Sequence, residues 1–345
     1  MMTDLRQRPT IALAMGDPAG VSPELTAKLI ASEVVNAAAR LIVIGDRRIL
    51  EKGARFAGLS LDLCEASVET IPAADYSKPG FIDLANLDPA DVSVGEATLA
   101  GGTFASTNFT LALKLANENK ADAVCFTPFN KKAMRYAYSG YDDEIRFISE
   151  KIGFTGKARE FNVLENIWNA RVTSHIPLAE VSSHLSKDAI LSELALTFAC
   201  LKRSGIENPR IAVAGLNPHA GDGGSFGMEE IDIIEPAVAE AQERGWATEG
   251  PFPADTVFLR AMKEGFHAVL TMYHDQGQIA MKLMGFDRGV TMLGGLPFPV
   301  CTPAHGTAYD IAEKGIANPR ASEEALLLAA RMAGRSRPPS GTTIF

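Results

Sequence analysis

A chain of 345 residues, 46% apolar and 22% charged, has the composition of an ordinary globular protein of about two domains, which argues against a disordered or fibrous molecule. Its formal charge of −9, from 33 basic and 42 acidic residues with no basic block, argues against nucleic acid or an anionic membrane as the main partner. No stretch approaches the ~20 apolar residues of a membrane span. The apolar run 11–15 is too short for a signal peptide, and the four cysteines are far apart, so a reducing cytoplasm is expected.

In chain order, Thr10 to Met15 reads as a buried strand feeding a Gly/Pro loop. A helix follows to about Ser32, with Ser22 as N-cap and Pro23 at its first position. Arg40 to Gly45 is a second strand, Thr107 to Asn119 a helix, and Ala123 to Thr127 another strand. The segment NARVT is strand-like, Ala189 to Ser204 is an amphipathic helix, and Ile211 to Leu216 is a strand. Met228 to Arg244 reads as a helix, Ala268 to Met272 as a strand and Ser322 to Met332 as the last helix; the stretch after it reads as a loose tail. Short apolar strands alternating with helices indicate an α/β fold with a largely parallel sheet, in which ligands bind beyond the C-terminal strand ends.

Six histidines are the scarce chemical resource. His175 (TSHIPL), His219 (NPHAGDGG) and His274 (YHDQG) each follow a predicted strand, so all three can emerge at one rim of a sheet. Three imidazoles suit a borderline cation such as Zn²⁺ with an open position for substrate. Spacing leaves the other reading open, three separate hydrogen-bonded loop histidines. The glycines after His219, at 221, 223, 224 and 227, permit close backbone approach to a ligand. His305 lies in a small-residue segment that reads either as a backbone-lined slot for a flat ring or as a plain loop; His184 and His267 read as surface or packing residues.

GDPAGVSPE (16–24), TPFNKKA (127–133), TSHIPL (173–178), NPHAGDGGSFGMEE (217–230), ADTVF (254–258), YHDQG (273–277), KLMGFDRGV (282–290) and HGTAYDIA (305–312) together resemble the 4-hydroxythreonine-4-phosphate dehydrogenase (PdxA) family over about residues 10–332. The resemblance implies a two-domain α/β subunit of the isocitrate/isopropylmalate dehydrogenase-like fold, with parallel and mixed sheets, a cleft between domains, and assembly into a homodimer. On this basis 1–135 with 285–335 form an NAD-binding domain, 136–284 a metal, substrate and dimerisation domain, and 336–345 a tail. It implies one divalent metal, Zn²⁺ before Mg²⁺, Mn²⁺ or Co²⁺, on His175, His219 and His274, one of them reaching across from the partner subunit. It also implies NAD held by Gly223, Gly224, Gly294, His305, Gly306 and Thr307. Asp255 and Lys282 match catalytic or substrate-contacting positions, and Tyr141, Asp142 and Thr291 fall at substrate positions. The implied reaction is oxidation of a secondary alcohol of a hydroxy acid, with or without loss of CO₂.

The departures cluster at the substrate end. Where the family carries GHTE, this chain has Gly140-Tyr141-Asp142-Asp143-Glu144. The family's Asn and Arg phosphate ligands correspond to Thr291 and Val300, and valine cannot replace a bidentate guanidinium. Ser22 replaces a glycine and Ala304 an aspartate. The expected substrate therefore differs from the family's phosphorylated one: a non-phosphorylated sugar acid or hydroxy acid, or a cis-dihydrodiol carboxylate. A non-catalytic metabolite-binding protein is the alternative of another class.

Overall fold

Apolar runs only four to six residues long, bounded by polar or Gly/Pro loops, become strands buried on both faces. The computed structural model describes residues 8–71, 78–165 and 167–335; the expected tail at 336–345 lies outside them. Strands β1 (Thr10–Ala14), β2 (Arg40–Gly45), β3 (Cys64–Glu65), β4 (Gly80–Asp83) and β5 (Ala123–Phe126) come first. They are followed by β6 (Arg159–Leu164), β7 (Ile167–Arg171), β8 (Arg210–Ala214), β9 (Ala247–Phe252), β10 (Ala268–Thr271), β11 (Val290–Gly294) and β12 (Val300–Pro303). Helices α1 (Ser22–Ala31), α2 (Glu33–Ala38), α3 (Arg47–Ala57), α4 (Leu99–Asn117), α5 (Lys131–Ala137) and α6 (Glu144–Ile152) lie among the first strands. Helices α7 (Val181–His184), α8 (Lys187–Ser204), α9 (Glu235–Glu243), α10 (Val257–Glu264), α11 (His274–Gly285) and α12 (Arg320–Ala333) complete the α/β class expected from the alternation. No described helix is long and apolar enough to cross a membrane.

The chain divides into two units, one with the described residues of Met1–Arg159 and Val290–Thr342, the other with those of Glu160–Gly289. In the first, the strands run in the order β3-β4-β2-β1-β5-β12-β11. All neighbours there are parallel except β11 and β12. In the second the order is β6-β7-β10-β8-β9, with only β6 and β7 antiparallel. Residues 136–159, expected with the second domain, pack on the first unit. The reason is aromatic: the Phe147 ring stacks 5.6 Å from Phe109 of α4, and Tyr141 lies 5.7 Å from Phe147. Such pairs contribute about 0.5–1.5 kcal/mol each beyond their buried area. Residues 285–289 stay with the second unit, because the chain leaves α11 directly into a short turn there.

Three elements differ from expectation at their ends. Ser22 is the first residue of α1 and caps nothing; its hydroxyl donates to the Pro128 carbonyl at 2.8 Å. Helix α4 begins at Leu99, eight residues before the expected start, because Thr98 caps it through the Gly101 N–H. The expected helix at 228–244 opens with a π-turn over Glu230–Ile234 before α9.

His267, read as a packing residue, has a defined bond: its Nδ1 accepts from the Arg210 backbone N–H at 3.0 Å. Burial, with Arg210 nearby, holds its pKa below the ordinary 6.5. Between 6.5 and that lower value the unfolded chain binds a proton that the folded chain refuses, so stability is lost as pH falls through this window. Chemical denaturation of the wild type at pH 7 and pH 5 is expected to show this loss. A His267→Gln variant is expected to show less of it.

Candidate metal and nucleotide site

In the second unit β10 lies between β7 and β8, parallel to both, so their C-terminal ends emerge on one edge. Three residues past each end or slightly beyond stand His175, His219 and His274. The His175 and His274 rings are 5.8 Å apart and line one open cavity of about 280 Å³ with Ser174, Tyr273 and Asp275. His219 sits instead with its ring 6.0 Å from Phe226. Among the described residues, no three His, Cys, Asp or Glu side chains converge on one metal position. One copy of the chain thus brings two of the three expected ligands together.

His274 was expected in a loop; it is the first residue of α11. Its Nδ1 is 2.6 Å from Asp275 Oδ1, which fixes Nδ1–H as donor and leaves the Nε2 lone pair outward. A carboxylate behind an imidazole orients it and raises its basicity for a cation. The rest of YHDQG is structural. Gln276 Oε1 accepts from Met272 N–H at 2.8 Å, and its Nε2 donates to the Gly215 carbonyl at 2.9 Å. Gly277 lets α11 press on β7, since a Cβ there would lie 2.0 Å from the Asn169 amide oxygen. These donors fit a borderline divalent cation: two exposed or half-exposed imidazoles face each other, one of them backed by an acid.

The His219 loop is backbone-strained. His219, Ala220, Gly221, Asp222 and Gly223 all have positive φ, between 45° and 82°. For a residue with a side chain that conformation costs roughly 1–2 kcal/mol. A buried carboxylate offsets the strain: Glu230 accepts from the Leu216 and Asn217 N–H groups at 2.7 and 2.8 Å and from the Asn217 side-chain amide at 2.9 Å. Glu229 takes bonds from Ser182 and Asn217, which hold its carboxyl below the usual range. Gly223 and Gly224, expected at the cofactor, belong to this loop.

The other expected cofactor residues are in the first unit. Gly294 ends β11, and His305, Gly306 and Thr307 follow β12. Gly306 has no neighbour where a side chain would stand, so its backbone is open on that face, as a slot for a flat ring requires. The Thr307 carbonyl accepts from Val21 N–H at 3.0 Å, fastening the loop to GDPAG. Just beyond, the Tyr309 hydroxyl donates to Asp17 at 2.5 Å. Burial pushes the Asp17 carboxyl upward, against the phenol and the Ala19 N–H that lower it. Sequence reading quoted both motifs and missed this pair; two polar residues 292 positions apart give no local signal.

Tyr141 is 1% exposed and sits in the apolar core with Phe147, its hydroxyl donating to Glu144 at 3.0 Å. Burial, together with Glu144 and Asp143, drives its ionisation far upward. Asp142 pairs with Arg146 at 2.6 Å, and Asp143 caps α6 through the Arg146 N–H. Val300 lies in the same core cluster as Tyr141. Thr291 is half-buried on β11, in register with Thr302. Lys282 is exposed on α11, and Asp255 is exposed just before α10, whose N-terminus has no side-chain cap.

Comparison with known proteins follows this geometry. A family model described as "Pyridoxal phosphate biosynthetic protein PdxA" matches residues 37–329. A relative from Rhizobium meliloti (strain 1021), named "Putative 4-hydroxythreonine-4-phosphate dehydrogenase 2", is 71% identical over 331 residues, covering 96% of this chain and 95% of its own. The crystal structure of a 4-hydroxythreonine-4-phosphate dehydrogenase from Klebsiella pneumoniae is 34% identical with a TM-score of 0.82, covering 95% of this chain and 99% of that one. A terephthalate 1,2-cis-dihydrodiol dehydrogenase from Burkholderia xenovorans LB400 is 27% identical with a TM-score of 0.65, covering 94% and 98%.

Proposed function

The chain belongs to the PdxA family, and from that premise we propose that it is an NAD- and divalent-metal-dependent dehydrogenase of a hydroxy acid that carries no phosphate. The observation that carries the reading is the His175–His274 pair at the strand ends, with Asp275 behind His274. A divalent cation and NAD, when bound, would supply Lewis acidity toward a secondary alcohol and a hydride acceptor. The protein's own residues bind and orient. His175, His274 and His219 would hold the cation, one of them supplied by a partner copy. The Lys282 ammonium faces the anionic end of the substrate, and Asp255 takes a hydrogen bond from its hydroxyl. The loop at 305–307 with Gly294 would take the dinucleotide.

What supports a substrate without phosphate is the packing of the core. At the positions where the resemblance puts substrate and phosphate contacts, Tyr141 and Val300 are packed away from solvent, while Thr291 is half-buried. Asp142 and Asp143 are committed to Arg146 and the α6 cap. Tyr141, Asp142, Asp143, Thr291 and Val300 offer a dianion no cationic donor. The likeness to a dihydrodiol dehydrogenase favours a cyclic dihydrodiol carboxylate as the second candidate beside an open-chain sugar acid.

A homodimer is part of the reading. Ile279 and Leu283 stand one turn apart on α11, 61% and 84% exposed, a stripe suited to a second copy. Four free cysteines, three of them buried, are in keeping with a reducing cytoplasm.

The test is NADH formation with Zn²⁺, Mg²⁺, Mn²⁺ or Co²⁺ over hydroxy acids and dihydrodiol carboxylates, each with and without phosphate. Non-phosphorylated substrates are expected to have the higher kcat/KM. Turnover of 4-phosphohydroxythreonine at ordinary efficiency, abolished by removing its phosphate, would refute the substrate assignment. Purified protein that bound neither metal nor NAD would mark a non-catalytic binding protein instead.

A further inference from the structure

We infer that Gln276 is a positioning residue that holds the three histidine loops in register at the strand ends, an inference that rests on reading His175, His219 and His274 as metal ligands. The Met272 peptide is the node. Its carbonyl accepts from Thr173 N–H at 3.1 Å and from Thr173 Oγ1 at 2.8 Å, two residues before His175. Its N–H donates to Gln276 Oε1 at 2.8 Å, two residues after His274. The same side chain's Nε2 donates to Gly215 O at 2.9 Å, four residues before His219.

The paired register of β8 with β10 ends at Val213 and Leu270. Gln276 continues the connection past that end, where the strands turn into loops and the next residues carry the imidazoles. The task requires one donor and one acceptor held in a fixed geometry on one short side chain, which a primary amide supplies; a carboxylate offers acceptors only and an ammonium donors only. Both bonds are partly buried, so their loss loosens the loop ends without opening the core. Groups behind metal ligands typically change affinity by roughly 10–100-fold when removed.

The experiment compares full-length wild type, His274→Ala, Gln276→Met and Gln276→Glu. Methionine keeps the length and volume of the side chain without its hydrogen bonds; glutamate keeps the acceptor for Met272 and loses the donor to Gly215. Co²⁺ affinity is measured by competition with a chromophoric chelator, and amide hydrogen exchange is followed over 215–224. Both Gln276 variants are expected to bind Co²⁺ roughly 10–100-fold more weakly, to exchange faster over 215–224, and to melt within a few degrees of wild type. Wild-type affinity in either folded variant, or unchanged exchange over 215–224, would overturn the inference. Wild type binding Co²⁺ no better than His274→Ala would overturn the metal reading itself, and the inference with it. Should Gln276→Met not fold, Gln276→Glu decides alone.

Discussion

His274→Ala is expected to lower kcat/KM about a thousandfold while leaving the fold intact. The reasoning is electrostatic. A Lewis-acidic cation contributes several kcal/mol to stabilising developing negative charge, and at 1.36 kcal/mol per decade about 4 kcal/mol is a factor of a thousand. The imidazole is half-exposed at the first turn of α11, so truncation leaves no cavity in the core. Steady-state rates with Zn²⁺ and Co²⁺, together with metal content after dialysis, measure the effect. Asp275→Asn weakens the orientation of the same ring and is expected to cost less, roughly 10–100-fold in metal affinity. Wild-type kcat/KM in His274→Ala would show that the histidine pair is not the reaction centre.

The largest expected effect on stability is at Gly102, on the buried face of α4. A Cβ there would stand 1.9 Å from the Ala133 carbonyl oxygen and 2.5 Å from its carbon, both backbone atoms of α5. No rotamer change relieves that overlap, so the two helices must separate. Gly102→Ala is expected to lose about 3 kcal/mol in urea unfolding, at the upper end of ordinary overpacking. Gly58→Ala is the comparison. Gly58 caps α3 at φ +67° with nothing within 4 Å, so alanine there meets backbone strain of only about 1 kcal/mol. Equal losses at the two sites would mean that the α4–α5 crossing is not the tight contact described.

Strand positions were legible in the chain because burial on both faces writes them as short apolar runs: IALA, LIVIG, AVCF and AVLT are all strand residues in the structure. Helix ends were less so. LAGGTFAST hides the first two turns of α4 behind two glycines, of which Gly102 serves close packing on α5, a property of the partner helix. The histidines were readable as strand-end residues, and His175 and His274 do meet. What joined them was not readable, because Gln276, Thr173 and Gly215 act through bonds to backbone atoms on other strands. Tyr141 shows the opposite case. Its place in a motif suggested a ligand contact, whereas its phenyl ring was needed by Phe147 and the core.

That buried phenol makes the change at the substrate end hard to undo by single steps. Returning Tyr141 to an imidazole would remove ring volume from an aromatic cluster, leave Glu144 without its donor, and place a polar group where no water reaches. Returning Val300 to a guanidinium would bury a charge in that same cluster. Each replacement alone gives a less stable protein. The packing around Tyr141 therefore couples these positions: a new side chain at either one is tolerated only when several neighbours change together.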